Sequence, residues 1–362
     1  MNRNQLNFTV GPVMMDDRLR LENSEQVPYF RTQEFSAITK ESEAMLTALL
    51  NAQEGSRAVF MTGSGTASME AAVLNLFTKN DKVLVVNGGS FGERFLKLCT
   101  VLGIPCTEVH LPYGRPLTRT DLEPFANKGY TALIMQHNET STGVLYDLAM
   151  AGTFCKEQKL FFLVDAISSF LADPLDITAF NIQAVITGSQ KALALPPGMS
   201  FLVLTPSAQE RVLGHTVPSL YFNLADYLSD GERGQTPFTP AVGIMLLLHT
   251  RLSSIMEQGG ATALISQTAE LAQYFRNGIS KLPFAQFSPA PSNALTALSS
   301  TTGKSAYEIF TLMKDRYQIF ICPNGGDLKD KIFRVGHIGH ITKKNMDTLL
   351  DAFHDLHMTG EL

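Results

Sequence analysis

Seven apolar runs of strand length recur between helix-like segments in the part of the chain before residue 205: residues 58–61, 83–86, 106–111, 132–135, 160–164, 184–187 and 201–204. Their hydrophobicity is continuous rather than alternating. A strand with one wet face alternates, whereas a strand covered on both faces does not, and helices that cover both faces go with a largely parallel sheet. The expected architecture is therefore α/β, with a mostly parallel seven-stranded sheet between helical layers.

Beyond residue 240 the pattern changes. A long helical region, 241–281, is interrupted near Gly259 and Gly260, and a strand at 294–299, a helix at 306–316, strands at 319–322 and 332–335, and a helix at 343–357 follow. A chain of 362 residues exceeds one ordinary hydrophobic core. The expectation is a large α/β domain with an amino-terminal segment over residues 1–255 and a small α+β domain over residues 256–362. With no internal repeat and no Pro/Gly-rich linker, the two should be joined by helix.

Charge and composition exclude several classes of partner. There are 29 basic and 34 acidic residues, a net charge of −5, and no basic run to neutralise phosphates, so nucleic acid is not expected. The amino terminus lacks the apolar core of a signal peptide, and the longest apolar stretches fall short of a membrane span. No membrane partner is expected, and the location is expected to be cytoplasmic. The four cysteines, Cys99, Cys106, Cys155 and Cys322, show neither metal-ligand spacing nor a CxxC pair. They read as small buried hydrophobes, and no metal site is expected.

Two strand ends carry chemistry. The run 160–164 ends in Asp165, and the run 184–187 leads through Gly188, Ser189 and Gln190 to Lys191. An amine just beyond a buried strand tends to lose its charge by desolvation, and a neutral amine attacks an aldehyde to form a Schiff base. Pyridoxal phosphate needs such a lysine, together with a carboxylate that keeps its ring nitrogen protonated. The intervening stretch holds one helix and one return strand, enough to bring both side chains to one sheet edge. Taken singly, each is also an ordinary surface group of an α/β protein.

Residues 59–73 read as a strand, a glycine-rich turn and a helix start, with Gly63, Ser64, Gly65 and Thr66 in the turn. Glycines admit an anion close to the backbone, and the first free helix amides point at it. The same Gly-x-Gly turn approximates a dinucleotide fingerprint. An NAD enzyme, however, places an acid at the end of the next strand, and here that strand ends in Asn87. Phe91, in the glycine-rich loop that follows, has the shape to stack on a flat cofactor, or to serve as ordinary core.

Assembled, these segments resemble a class V aminotransferase of fold type I, the group of alanine–glyoxylate, serine–pyruvate and 2-aminoethylphosphonate–pyruvate transaminases. The resemblance runs nearly end to end, through residues 9–12 (Thr-Val-Gly-Pro), 60–70, 87–94, 137–144, 164–169, 187–191 and 333–339. It implies a PLP-dependent transfer of an amino group from a small amino donor to a 2-oxo acid by a ping-pong Schiff-base mechanism. By the same resemblance, Lys191 holds the cofactor and shuttles the proton at the substrate α-carbon, and Asp165 pairs with the ring nitrogen. Phe91 stacks on the ring, and Ile167 packs on its opposite face. Ser64, Gly65, Thr66 and Gln190 bind the phosphate, and Thr140 bonds the ring-hydroxyl side. Arg334 clamps the substrate carboxylate, a task suited to a planar fork of donors. Thr236 matches a threonine that completes the phosphate site of a neighbouring subunit, which implies a homodimer with shared sites.

The sequence also departs from that pattern. Phe91 stands where many relatives have tryptophan or tyrosine, Asn138 where glycine or serine is usual, and Arg233 where some place an aromatic residue. Cysteine desulfurases share the fold and cofactor, but they place a histidine before the lysine where this chain has Gln190, and a reactive cysteine on a mobile loop where Cys322 reads as a strand end. A non-catalytic cofactor-binding module is the reading from another class, and the intact lysine, aspartate and arginine oppose it. Arg31 is open to two readings, as a contact for a second anionic group of the substrate or as an i, i+3 partner of Glu34.

Overall fold

The structure, a computed structural model, describes residues 5–362; the first four residues of the amino-terminal stretch read above lie outside it. Strands β1 (Arg57–Thr62), β2 (Val83–Asn87), β3 (Cys106–His110), β4 (Ala132–Gln136), β5 (Phe161–Asp165), β6 (Ala184–Gly188) and β7 (Met199–Leu204) form one sheet in the order β1-β7-β6-β5-β4-β2-β3. Every neighbouring pair is parallel except those made by β7, which runs antiparallel to β1 and β6. The continuous apolar runs have their expected cause, since β4, β5, β6 and β7 are buried at every position. Side chains of alternate residues feed two cores. One holds Leu133, Phe162 and Val185, and the other Ile134, Leu163 and Ile186.

This topology sets the site. Because β1 and β6 are both antiparallel to β7, the carboxyl end of β1 falls on the same edge as those of the parallel strands. Gln136 lies opposite Asp165, Asp165 opposite Ile186, Gly188 opposite Ser200, and Thr62 opposite Met199. In open α/β sheets that carboxyl edge is where ligands bind.

Helices Val242–Glu257 and Gly260–Gly278 are separated at the expected glycines, whose φ values of +102° and +71° lie in the left-handed region. After them come β8 (Phe284–Gln286), β9 (Leu295–Ser300), β10 (Cys322–Pro323) and β11 (Phe333–Gly336), an antiparallel sheet in the order β8-β9-β11-β10. Helices Ala306–Tyr317 and Lys343–Met358 pack on it around Phe275, Ile309, Phe333 and Phe353. The expected single strand at 319–322 divides in two. Ile319–Phe320 pairs in parallel with the amino-terminal Leu6–Asn7, and after the buried Ile321 the chain changes partner, so that Cys322–Pro323 pairs with β11. Strand β8 was not anticipated, because it is short and largely exposed.

The small sheet's approach to the large one is held by a buried polar clamp. Asp173 accepts from Ser292 Oγ at 2.5 Å and from the Asn293 amide at 2.8 Å, while Arg276 donates to the Ser292 carbonyl at 2.6 Å. Among the described residues, no helix is long and apolar enough to cross a membrane.

Candidate active site

Asp165 closes β5 with its carboxyl group buried. Its Oδ1 accepts the Ile167 amide at 2.8 Å, the one hydrogen bond to this carboxylate among the described residues, which leaves Oδ2 to accept another donor. Burial pushes the carboxyl up to about 7; the Ile167 amide and the charges of Lys191 and Arg94 oppose this, and the nearby Glu139 adds to it.

Lys191 lies in the turn after β6. That turn is fixed to the start of β7, with the Ser189 amide donating to the Met199 carbonyl at 3.0 Å and Ser189 Oγ to the Pro196 carbonyl at 2.7 Å. The residue is 9% exposed, and its Nζ donates to the Val10 carbonyl. A Cβ at the adjoining Gly11, where φ is +130°, would stand 2.7–2.8 Å from Lys191 Cδ, Cε and Nζ, so only glycine lets the backbone approach the amine this closely. Burial lowers the amine to about 8. The positive charge of Arg334 adds to the shift, and Cys322 and Asp165 oppose it.

The glycine-rich turn follows β1. Gly63 donates its amide to the Gly198 carbonyl at 2.8 Å, which ties this turn to the one that carries Lys191. Helix Gly65–Leu76 begins at Ser64, whose backbone is extended and whose side chain makes no capping bond. The hydroxyl and the first helix amides therefore remain for an anion. Ile167 lies against this turn, since a Cβ at Gly65 would meet its Cδ1 at 2.3 Å. Gln190 is half-buried, with Oε1 3.5 Å from Ser189 Oγ.

Phe91 sits at the start of helix Ser90–Leu102. The Arg94 guanidinium lies 4.8 Å from its ring centroid and donates to Thr66 Oγ1 at 3.0 Å, linking the ring to the 63–66 turn. Thr140 donates its hydroxyl to Ser168 Oγ at 2.7 Å. From β11, Arg334 donates through Nη1 to the Thr140 carbonyl at 3.0 Å and through Nη2 to the Pro323 carbonyl at 2.7 Å, while its buried Nε has no partner. Cys322 lies opposite Arg334 on β10.

The remaining candidates lie elsewhere. Thr236 is buried, and its hydroxyl donates to the Phe238 carbonyl at 2.7 Å; none of its hydrogen bonds among the described residues reaches Lys191, Asp165 or the 63–66 turn. Arg31 does not pair with Glu34. Its guanidinium reaches Gln235 Oε1 at 3.4 Å, the Thr236 carbonyl at 3.5 Å and the Pro237 carbonyl at 3.4 Å. Arg233 is exposed and ion-paired with Asp230.

Sequence reasoning passed over Glu139, Ser168, Arg94 and the Val10 carbonyl. Glu139 and Arg94 lie inside the segments singled out above, and the available signal for Glu139 was an acid flanked by small polar residues directly after a buried strand. The orphaned Arg334 Nε, the uncapped helix start and the free Oδ2 of Asp165 make a donor and acceptor set that fits a phosphate-bearing ring with a basic nitrogen and a carboxylate-bearing substrate.

The Aminotransferase class-V family model matches residues 23–325. A soluble hydrogenase small subunit of Synechococcus sp. is 31% identical over 94% of this chain and 90% of its own length. A 2-aminoethylphosphonate–pyruvate transaminase of Pseudomonas fluorescens is 30% identical over 88% of this chain and 87% of its own. Among solved structures, an aspartate aminotransferase of Thermus thermophilus superposes with a TM-score of 0.90 at 26% identity, covering 98% of this chain and 99% of that one. With this fold and a match over most of its length, the chain belongs to the class V aminotransferases and is a transaminase of fold type I.

Proposed function

We propose that the chain moves an amino group from a small donor of the alanine, serine or 2-aminoethylphosphonate type to pyruvate or glyoxylate, with pyridoxal 5'-phosphate as its cofactor. The observation that carries this is the meeting of two buried cations: the Lys191 amine, lowered to about 8, and the Arg334 guanidinium, whose charge contributes to that lowering and whose Nε has no partner. When bound, the cofactor supplies an aldehyde for the amine and an electron sink for the bond broken at the α-carbon.

The rest is the work of this chain's residues. Ser64, Gly65, Thr66 and Gln190 hold the phosphate, Phe91 and Ile167 cover the two ring faces, and Thr140 bonds the ring-hydroxyl side. Asp165, as a carboxylate, keeps a proton on the ring nitrogen. Lys191 Nζ, once free, takes the proton from the α-carbon and returns it, which requires an amine that is neutral at working pH. Arg334 orients the α-carboxylate. Its two hydrogen bonds to carbonyls fix the plane of the fork and leave the Nε–H and a second N–H on each Nη for the two oxygens of a substrate carboxylate. The proposal includes a homodimer in which the partner's threonine, equivalent to Thr236, completes the phosphate site. It also includes a large domain over 1–255, a small one over 256–362, and a cytoplasmic location.

Half-reaction kinetics test the substrate class. Each donor and each oxo acid is mixed separately with wild type and with Arg334→Lys. A point-charge ammonium cannot reproduce a bidentate pair, so kcat/KM should fall about 10–100-fold for every carboxylate substrate. A phosphonate donor, which carries no carboxylate, should be spared while its oxo-acid acceptor is not. Equal efficiency of variant and wild type with all carboxylates would remove Arg334 from the site.

A further inference from the structure

Glu139 is a fully buried carboxylate to which the mechanism above gives no task. Its Oε2 accepts the amides of Phe91 and Gly92, both at 3.1 Å, and its Oε1 accepts the amide of Ser141 at 3.1 Å and the Ser141 hydroxyl at 2.5 Å. The first pair belongs to the opening turn of helix Ser90–Leu102, whose N-cap residue, Gly89, offers no side chain. Glu139 is thus a cap supplied from another segment, with its negative charge at the positive end of the helix. The Gly89 position shows how closely the two segments meet: a Cβ there would stand 2.6 Å from the Glu139 carboxyl carbon and 2.3 Å from Ser141 Oγ. That Ser141 oxygen also accepts the Ser90 amide at 3.2 Å. The Glu139 carbonyl, for its part, accepts the amides of Thr142 and Gly143 at 3.1 and 2.8 Å and so shapes the turn that carries Thr140.

We propose that Glu139 is a positioning residue for the cofactor ring: it sets where Phe91 stands over the carboxyl edge of the sheet and locks that ring-bearing helix to the turn whose Thr140 carbonyl holds Arg334. The inference rests on the reading of Phe91 and Arg334 given above. Four hydrogens converge on the two oxygens of this side chain, so a carboxylate, which only accepts, is the group required. A glutamine presents one accepting oxygen: with it at the Phe91 and Gly92 amides, its NH2 faces Ser141, whose amide is left orphaned in a buried site, and the helix end loses its countercharge. The position of Phe91 would then be held by packing and by weaker, neutral hydrogen bonds in place of charge-assisted ones.

A double-mutant cycle on cofactor binding separates this from a merely structural role. Pyridoxal phosphate affinity and the visible circular dichroism of the bound cofactor are measured for wild type, Glu139→Gln, Phe91→Leu and the double variant, with thermal melts as a check on folding. Each single change should weaken affinity about tenfold and reduce the dichroism. The double variant should be no more than about twofold weaker than the worse single one, because Glu139 acts through Phe91. Fold-changes that multiply, or an unaltered dichroic band in Glu139→Gln, would overturn the proposal while leaving the aminotransferase reading intact. Failure of wild type to bind pyridoxal phosphate would overturn that reading itself, and this inference with it. Should Glu139→Gln fail to fold, Ser141→Ala, which removes one of the four hydrogens, enters the same cycle with a smaller effect of the same sign.

Discussion

Burial alters the acid–base chemistry of both Lys191 and Asp165. Desolvation moves them in opposite directions, the amine down to about 8 and the carboxyl up to about 7. For Lys191 the unfolded chain holds more protons than the folded one between about 8 and the ordinary lysine value, so stability rises with pH across that window. For Asp165 the folded chain holds more protons between the ordinary carboxyl value and about 7, and stability falls as pH rises through it. The cofactor-free chain therefore carries the full cost of both buried charges near neutrality. Melting wild type and Lys191→Ala without cofactor between pH 7.5 and 10.5 should show wild type gaining on the variant as pH rises, and a constant difference would show that burial does not perturb this amine. Lys191→Ala should also abolish transamination while the folded chain still binds the cofactor non-covalently. Borohydride trapping should label Lys191 in wild type and no other lysine. Asp165 was legible as the carboxylate that ends an apolar strand, and Lys191 as the lone lysine in the small-residue turn after another. Glu139 and Arg94 were not, because they act on amides and a hydroxyl 28 to 48 residues away in sequence, and only the fold brings those together.

At the scale of elements, strands buried on both faces announce themselves by continuous hydrophobicity, and strands that are short and exposed do not. This explains why six strands of the large sheet were readable and β8 was not; the seventh, the edge strand β3, is buried only at Val109 and does not owe its reading to burial. It also explains the misreading at 319–322, where the partner of Ile319–Phe320 is the distant Leu6–Asn7 and nothing local marks the change of sheet at Ile321. The 63–66 turn joins a helix start to the proposed phosphate site. Gly65 opens helix Gly65–Leu76 directly against Ile167, and any Cβ there collides with Ile167 Cδ1. Gly65→Ala should push Ile167 away from the ring face and weaken cofactor affinity by about tenfold or more, an effect of roughly 1–3 kcal/mol typical of overpacking. Because the clash is with the terminal methyl of isoleucine, Gly65→Ala combined with Ile167→Val should recover part of the loss. A double variant worse than Gly65→Ala alone would show that the alanine acts on the backbone of the turn and not through Ile167. Titrating cofactor fluorescence in the three variants makes the comparison.

At the scale of the whole molecule, one chain sets Lys191, Asp165, Phe91 and Thr140 along the carboxyl edge of the large sheet and brings Arg334 to them from the small one, but engages the Thr236 hydroxyl with its own Phe238 carbonyl. The proposed dimer gives that threonine a purpose, since a two-fold axis would deliver each chain's Thr236 to the other's 63–66 turn, and two equivalent sites would form together. Complementation decides between a shared and a self-contained site. In a mixed dimer of Lys191→Ala and Thr236→Ala chains, the Thr236→Ala chain contributes the lysine and the Lys191→Ala chain the threonine, so one site of the two is whole. Random reassociation makes about half the dimers mixed, and activity should return to about a quarter of wild type. A site completed within one chain predicts no recovery, because the only chain with a lysine lacks its own threonine. The test requires that Thr236→Ala alone lose most of its cofactor, measured by dialysis and absorbance. An active monomer, or mixed dimers without recovered activity, would show that the phosphate site is completed within the chain.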